Sequence, residues 1–222
     1  MKHFNIKKLF VTVMVLLCCV SANAYDFEVD GIYYNIISSS KLTVKVTNGD
    51  NKYTGKVIVP STITYNSNSL TVVAIDNNAF YGCNGLKNIE IPNSVTSIGR
   101  YAFYNCEGLT NIKIPNSVTS IGQEAFRGCT GLTNIEVPNS VTNIESRLFQ
   151  SCIRLSSIVI PNSVTGIGGY AFASCQSLTN ITIPTSITSI EDGAFYGCTG
   201  LTTIEIPNNV TSVGNNAFYG CI

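Results

Sequence analysis

Seven phenylalanines, Phe80, Phe103, Phe126, Phe149, Phe172, Phe195 and Phe218, stand 23 residues apart. Seven cysteines, from Cys83 to Cys221, keep the same beat three residues later, and six prolines from Pro92 to Pro207 keep it as well. A fixed period of this size is the signature of a stacked-repeat solenoid, in which no repeat can bury its apolar face alone and neighbouring coils complete the core. The architecture is therefore set before local propensity is considered. Because solenoids present long surfaces, it also points to binding rather than chemistry.

Within a repeat the pattern is legible. Asn111-Ile112-Lys113-Ile114 alternates polar and apolar residues, as a half-buried strand does. Pro115 cannot donate to a ladder and stops the strand, and Pro115-Asn116-Ser117 is turn chemistry. Val118 and Ile121 mark a second short extended piece, and Gly122 permits a bend. Ala125-Phe126 is expected to enter a short helical or 3₁₀ turn. The fold class that follows is a β-rich solenoid of 23-residue repeats with short strands, short helical or 3₁₀ turns and an N-terminal β cap. Its inner columns are the leucines from Leu86 to Leu201, the paired isoleucines, Val95 to Val210, and the phenylalanine spine.

Upstream of the repeats the chain changes character. Residues 1–24 read as a secretory signal peptide, with Lys2, Lys7 and Lys8, an apolar run from Leu9 to Val20, and Ala22-Asn23-Ala24 as a small-residue cleavage site. A lipoprotein signal at Cys18 or Cys19 is the rival reading, disfavoured by Leu16 and Leu17 where a small residue would be wanted. No later segment is apolar for long enough to be transmembrane. Residues 25–60 are non-repetitive and strand-like, a small antiparallel cap with a tight turn at Asn48-Gly49. Residues 61–222 form the solenoid. Its first coil is stretched by a hairpin-like insertion around Tyr65 to Leu70.

Removal of the leader leaves ten basic and thirteen acidic side chains, so the exported chain is mildly acidic and offers no basic face of the kind nucleic acid needs. It also removes His3, the one histidine. Seven cysteines remain. Disulfides between adjacent coils are disfavoured, because in-register Cβ atoms sit about 4.8 Å apart whereas a disulfide wants about 3.8 Å. Metal-ligand spacings such as C-x₂-C are absent. The column reads as a row of buried free thiols, and no cofactor is expected.

Catalysis has little support. There is no histidine for proton transfer, no G-x-S-x-G and no phosphate loop. Glu145 and Glu191 share a column but are two coils apart, about 9.6 Å by ladder spacing, with Gly168 between them.

Two outward columns on the first strand are the candidate ligand surface. One runs Asn88, Asn111, Asn134, Ser157, Asn180, Thr203; the other runs Glu90, Lys113, Glu136, Val159, Thr182, Glu205, its last three members breaking the charge pattern; the first three of each are the candidate residues. The asparagines read either as a recognition strip or as side-chain ladders bonded from coil to coil, and the ladder is the expectation. Glu90, Lys113 and Glu136 are expected to form opposite-charge pairs between levels. Tyr81, Tyr104, Tyr196 and Tyr219 follow the phenylalanines and suit either exposed anchors or half-buried packing.

The phrase L-x-x-I-x-I-P-x-S-V-T-x-I-G-x-x-A-F-x-G-C-x-G, running from Leu86 to Cys221, resembles the BspA-like, or Treponema-type, leucine-rich repeat of bacterial surface proteins. The segment from Asp26 to Tyr34 is similar to N-terminal caps of such proteins in Bacteroidota. The resemblance implies an exported or surface protein acting in adhesion or protein binding. It carries over no binding residues, because the repeat motif is structural.

The resulting reading is a non-catalytic binding protein of the cell surface or extracellular space. Its partner is a protein or glycan, such as host extracellular matrix. A structural spacer or stalk is the first alternative, and a carbohydrate-active enzyme the second. The last coil stops before the Gly-Leu that would begin another strand. The C-terminal coil is thus read as incomplete, as in a fragment of a longer array or a chain that associates end to end.

Overall fold

The computed structural model describes residues 24–221, so the expected signal peptide lies outside the described residues except for Ala24. The described residues begin with three antiparallel strands, β1 (Phe27–Val29), β2 (Ile32–Ser38) and β3 (Thr43–Thr47). Asp30 and Gly31 close the first hairpin, both at positive φ, as a two-residue type I′ turn requires. Asn48-Gly49 does not close a hairpin, contrary to expectation. The following strand, β4 (Gly55–Ile58), leaves β3 and becomes the first rung of a parallel ladder. β5 (Thr62–Tyr65) and β6 (Asn68–Ile75) form the inserted hairpin, turning at Asn66 and Ser67 with φ of 48° and 62°. β6 pairs in parallel with β3 and so joins the N-terminal sheet to the stack.

From there each coil has three sides. The first strand recurs as β7 (Leu86–Glu90); the second as β8 (Ser97–Ile98). Later coils repeat the pair as β9 (Asn111–Lys113) and β10 (Ser120–Ile121), β11 (Asn134–Glu136) and β12 (Asn143–Ile144), and β13 (Ser157–Val159) and β14 (Gly166–Ile167). β15 (Ser189–Ile190) and β16 (Ser212–Val213) complete the second-strand side, while the first-strand segments at 180–183 and 203–206 form no ladder. Where the strands pair, register is kept at one repeat: Ile89 faces Ile112, Ile135 faces Ile158, and Ile144 faces Ile167; the ladders are interrupted between β9 and β11 and between β10 and β12. Like residues therefore lie over like.

The third side departs from the expected helical or 3₁₀ turn. No described residue lies in a helix of either kind. A helix needs successive residues in the right-handed region, and here the residues two before and two after each phenylalanine are left-handed. Tyr101 and Asn105 around Phe103 have φ of 57° and 54°, and Glu124 and Gly128 around Phe126 have 59° and 73°. The result is a series of overlapping β-turns. Within the coil the amides of Ala102, Tyr104 and Cys106 donate to Gly99, Tyr101 and Phe103. Between them, the amides of Tyr101, Phe103 and Asn105 donate to Gln123, Ala125 and Arg127 of the next coil. Every inter-coil amide on this side points toward the C-terminus and every carbonyl toward the N-terminus. In the first coil, which has no repeat below it, the Lys52 ammonium donates to the Tyr81 carbonyl at 2.5 Å.

The core is the stack of columns. Phe80 to Phe195 are fully buried, with neighbouring rings 5.0–5.8 Å apart and nearly parallel. Burying each is worth roughly 1.5–3 kcal/mol. Tyr53 continues the spine into the cap, its ring 4.7 Å from Phe80 and its hydroxyl bonded to the Thr47 carbonyl at 2.8 Å. Gly122 serves close approach rather than a bend. A Cβ there would lie 2.5 Å from the Arg100 amide nitrogen of the coil below.

Candidate functional site

The first-strand side carries the candidate residues, and the strand alternation places them. Ile89, Ile112 and Ile135 turn inward and are buried, so Asn88, Glu90, Asn111, Lys113, Asn134 and Glu136 all turn outward and are exposed. Ladder pairing sets Asn88 beside Asn111 and Glu90 beside Lys113. The Pro-Asn-Ser turns rise beside the strands, because proline ends each ladder. Together they make two adjoining grooves. One, of about 310 Å³, is lined by Asn88, Glu90, Asn93, Asn111 and Lys113. The other, of about 780 Å³, takes in Asn111, Lys113, Asn116, Asn134 and Glu136. All six candidate residues thus share one continuous surface.

Two expectations about these columns are corrected. The asparagines form no coil-to-coil ladder: among the described residues the one side-chain bond in this set runs from Asn134 to its neighbour Thr133 at 3.3 Å. Adjacent amides on outward positions have solvent as an equal partner, whereas shorter hydroxyls near the turn reach backbone. The ladders accordingly sit in the serine and threonine columns. Ser117, Ser163 and Ser186 donate to the valine carbonyls of the preceding coil at 2.6–2.7 Å. Thr119 and Thr211 do the same to threonine carbonyls. The expected Glu90–Lys113–Glu136 pairing is also absent. Glu90 instead takes Lys56 of the first rung at 2.5 Å, and among the described residues Lys113 and Glu136 lie in no ion pair. The strip is left with amides bonded to no other coil, and with Lys113 and Glu136 as one cation and one carboxylate outside any ion pair among the described residues.

The cysteine column has a role of its own. Each thiol from Cys106 to Cys198 is buried, reduced, and donates to the phenylalanine carbonyl of the preceding coil, Cys106 to Phe80 at 3.0 Å and Cys129 to Phe103 at 3.1 Å. Burial pushes the Cys129 and Cys198 thiols up to about 12, and raises those of Cys152 and Cys175 well above the ordinary range. Thiolate chemistry is thereby suppressed. Glu191, one of the two column-sharing carboxylates, accepts the Gly169 amide at 2.9 Å and so serves the stack.

The turn side holds a feature that sequence reasoning missed. Glu124 is 5% exposed and lies among three arginines from consecutive coils: Arg127 at 2.7 Å, Arg147 at 3.8 Å and Arg100 at 3.9 Å. The Glu124 carboxylate holds the Arg127 guanidinium above its ordinary range. The arginines occupy three different columns of the repeat, so column-by-column reading scatters them. Only the left-handed turn brings them together. The tyrosines settle between their two readings: Tyr81 and Tyr104 stack at 4.9 Å, as do Tyr196 and Tyr219 at 5.1 Å, with Tyr81, Tyr196 and Tyr219 exposed and Tyr104 half-buried.

The BspA type leucine rich repeat region family matches residues 61–179 and 165–222, in six copies. Among solved structures the chain is similar to a leucine rich cell surface protein from Faecalibacterium prausnitzii A2-165, with 34% identity over 88% of this chain and 52% of that one, and a TM-score of 0.76. It is similar to the T. pallidum leucine rich repeat protein, with 33% identity over 88% of both chains and a TM-score of 0.78. It is also similar to a leucine-rich repeat protein from Bacteroides ovatus ATCC 8483, with 31% identity over 89% of this chain and 57% of that one, and a TM-score of 0.72. The chain spans about half the length of the first of these relatives. No curated protein matches it.

Proposed function

Because the chain belongs to the BspA-type leucine-rich repeat family, we propose that it is an exported, non-catalytic binding protein that presents its first-strand side to a protein or glycan. The observation that carries this reading is the placement of Asn88, Asn111 and Asn134, one repeat apart, along two adjoining grooves. They form an exposed row of amides, with no coil-to-coil side-chain hydrogen bonds among the described residues to occupy them. An amide offers two donors and an acceptor at each level, a repeating array suited to peptide groups or sugar hydroxyls. Lys113 and Glu136, of opposite sign and outside any ion pair among the described residues, add orientation without a strong net charge.

A purely mechanical spacer would have no need of a groove lined by three amides at successive levels. An enzyme would need a positioned acid and base. Among the described residues the one deeply buried carboxylate, Glu124, is spent on three arginines. Export rests on the leader sequence and on the cell-surface relative.

Panning the chain against immobilised extracellular matrix proteins and a glycan array tests the reading. A saturable partner whose binding drops about tenfold or more in Asn111→Ala/Lys113→Ala supports it, a loss equal to 1.4 kcal/mol. Absence of any saturable partner, or turnover of a glycan, would overturn it.

A further inference from the structure

The first-strand ladder has an open edge. β4 is its first rung and pairs with β7 alone. On that side Gly55 and Val59 donate their amides to the Gly85 and Glu90 carbonyls at 2.8 and 3.0 Å. Alternate residues of a strand face opposite neighbours, so Lys56 and Ile58 direct their N–H and C=O groups the other way. Among the described residues no hydrogen bond reaches those four groups. A groove of about 380 Å³ lies along this edge. β4 forms one wall and the β1–β2 hairpin, around Asp30 and Gly31, forms the other; no residue of β7 lines it.

Strand edges are ordinarily blunted by a proline, a free lysine or a covering element. Among the described residues β4 carries none of these. Its Lys56 is held by Glu90 at 2.5 Å, and Pro60 falls beyond the strand. Ile58 is 58% exposed, an apolar side chain at the head of an outward column that continues as Glu90 and Lys113. The charge of the groove is also one-sided. Lys52 is bonded to the Tyr81 carbonyl and Lys56 to Glu90, whereas Glu28 and Asp30 on the hairpin wall lie in no ion pair among the described residues.

We propose that this groove takes up a single extended peptide segment of a partner protein, which adds to the ladder as a strand beside β4. The open groups select the occupant. N–H and C=O recur together at Lys56 and Ile58, two residues or ~6.6 Å apart, the spacing at which an extended chain offers its own complementary groups. A hydroxyl can meet one such group, but a peptide backbone meets the donor and acceptor of both residues in one line. The two walls leave space for one strand, whereas the edge of a second copy would bring its own sheet behind it and meet the hairpin. Ile58 favours an apolar residue on the peptide, and Glu28 with Asp30 favours a basic one. The site does not rest on the asparagine row.

The test selects random phage-displayed heptapeptides on the full chain, with counter-selection on Ile58→Pro. Proline there removes one open donor and the exposed side chain but no bond to β7; an unchanged melting curve checks the fold. Enriched peptides, once synthesised, should alternate apolar and polar residues, carry Lys or Arg, and slow hydrogen exchange at the Lys56 and Ile58 amides. Methylating alternate peptide amides on the edge that faces β4 should weaken binding about tenfold or more, while methylating the other edge should not; this arm needs no protein variant. Glu28→Gln/Asp30→Asn should weaken basic peptides, less so at high salt. Asn88→Ala/Asn111→Ala/Asn134→Ala should bind them as the parent does. No peptide surviving counter-selection, unchanged exchange at Lys56 and Ile58, tolerance of methylation on both edges, or binding lost in the asparagine variant would each overturn the proposal.

Discussion

The thiol of Cys152 donates to the carbonyl of Phe126 in the coil below, at 3.1 Å, while the same carbonyl accepts the Cys129 amide of its own coil at 3.2 Å. One acceptor thus ties a turn shut and joins two coils. The arrangement recurs from Cys106 to Cys221, which explains why cysteine, a small apolar residue with one weak donor, keeps the 23-residue beat. The first prediction is that the repeat cysteines are all free thiols. They should react with a maleimide or disulfide reagent within minutes only after denaturation, apart from the partly exposed Cys221. Fast native labelling of more than one site, or a disulfide found by mass spectrometry, would contradict this.

Alkaline stability follows from the same column. Burial pushes Cys129 and Cys198 up to about 12, whereas an unfolded cysteine titrates near 8.5. Between those values the folded chain holds protons that the unfolded chain has lost. The stabilisation is present in full below pH ~8.5 and declines as pH rises toward the folded values. Chemical denaturation at pH 7, 9 and 10.5 should show a loss that steepens above 9, by on the order of 1.4 kcal/mol per pH unit for each titrating thiol. A Cys129→Ala/Cys152→Ala chain should lose stability less steeply over that range.

Phe126→Ala empties the middle of the spine and should cost ~3–5 kcal/mol. Its ring meets Phe103 at 5.2 Å and Phe149 at 5.8 Å. Because coils support their neighbours, hydrogen exchange should show lost protection concentrated in residues 103–152, with distant coils spared. Tyr104→Ala, at the surface of the same turn, should be milder. Equal effects would mean that the two columns share the load.

Glu124→Gln removes the carboxylate beneath three arginines. The arginines are half exposed and water can resolvate them, so the expected loss is modest, ~1–2 kcal/mol, well short of a fully buried pair. Thermal melts with and without 0.5 M salt check this, since screening should narrow the gap between variant and parent.

The sequence exposes what repeats as side-chain identity. Phe126, Leu132, Ile135 and Val141 each lie in an apolar column, so the stack, the inward faces and the outward set from Asn88 to Glu136 could be read directly. Backbone handedness is less visible. Nothing in Tyr101 or Glu124 as residue types announces a positive φ, and so the expected helical turn proved to be a chain of β-turns. Bonding within a column is equally hidden. Asn111 and Ser117 are both polar and both recur, yet only the serine lies close enough to a carbonyl of the coil below to bond it. The arginine cluster drew on three columns at once, Arg100, Arg127 and Arg147, and became apparent only once the turn folded.

The proposed ligand surface is the amide row of the first-strand side. The most direct measurement is the affinity of a panned partner for the parent chain, for Asn88→Ala/Asn111→Ala/Asn134→Ala, and for Arg100→Gln/Arg147→Gln, each shown by thermal melting to be folded. The triple asparagine variant should lose about tenfold or more in affinity, while the arginine variant holds the same partner as the parent does. Full affinity in the triple asparagine variant, with its melting temperature unchanged, would contradict it.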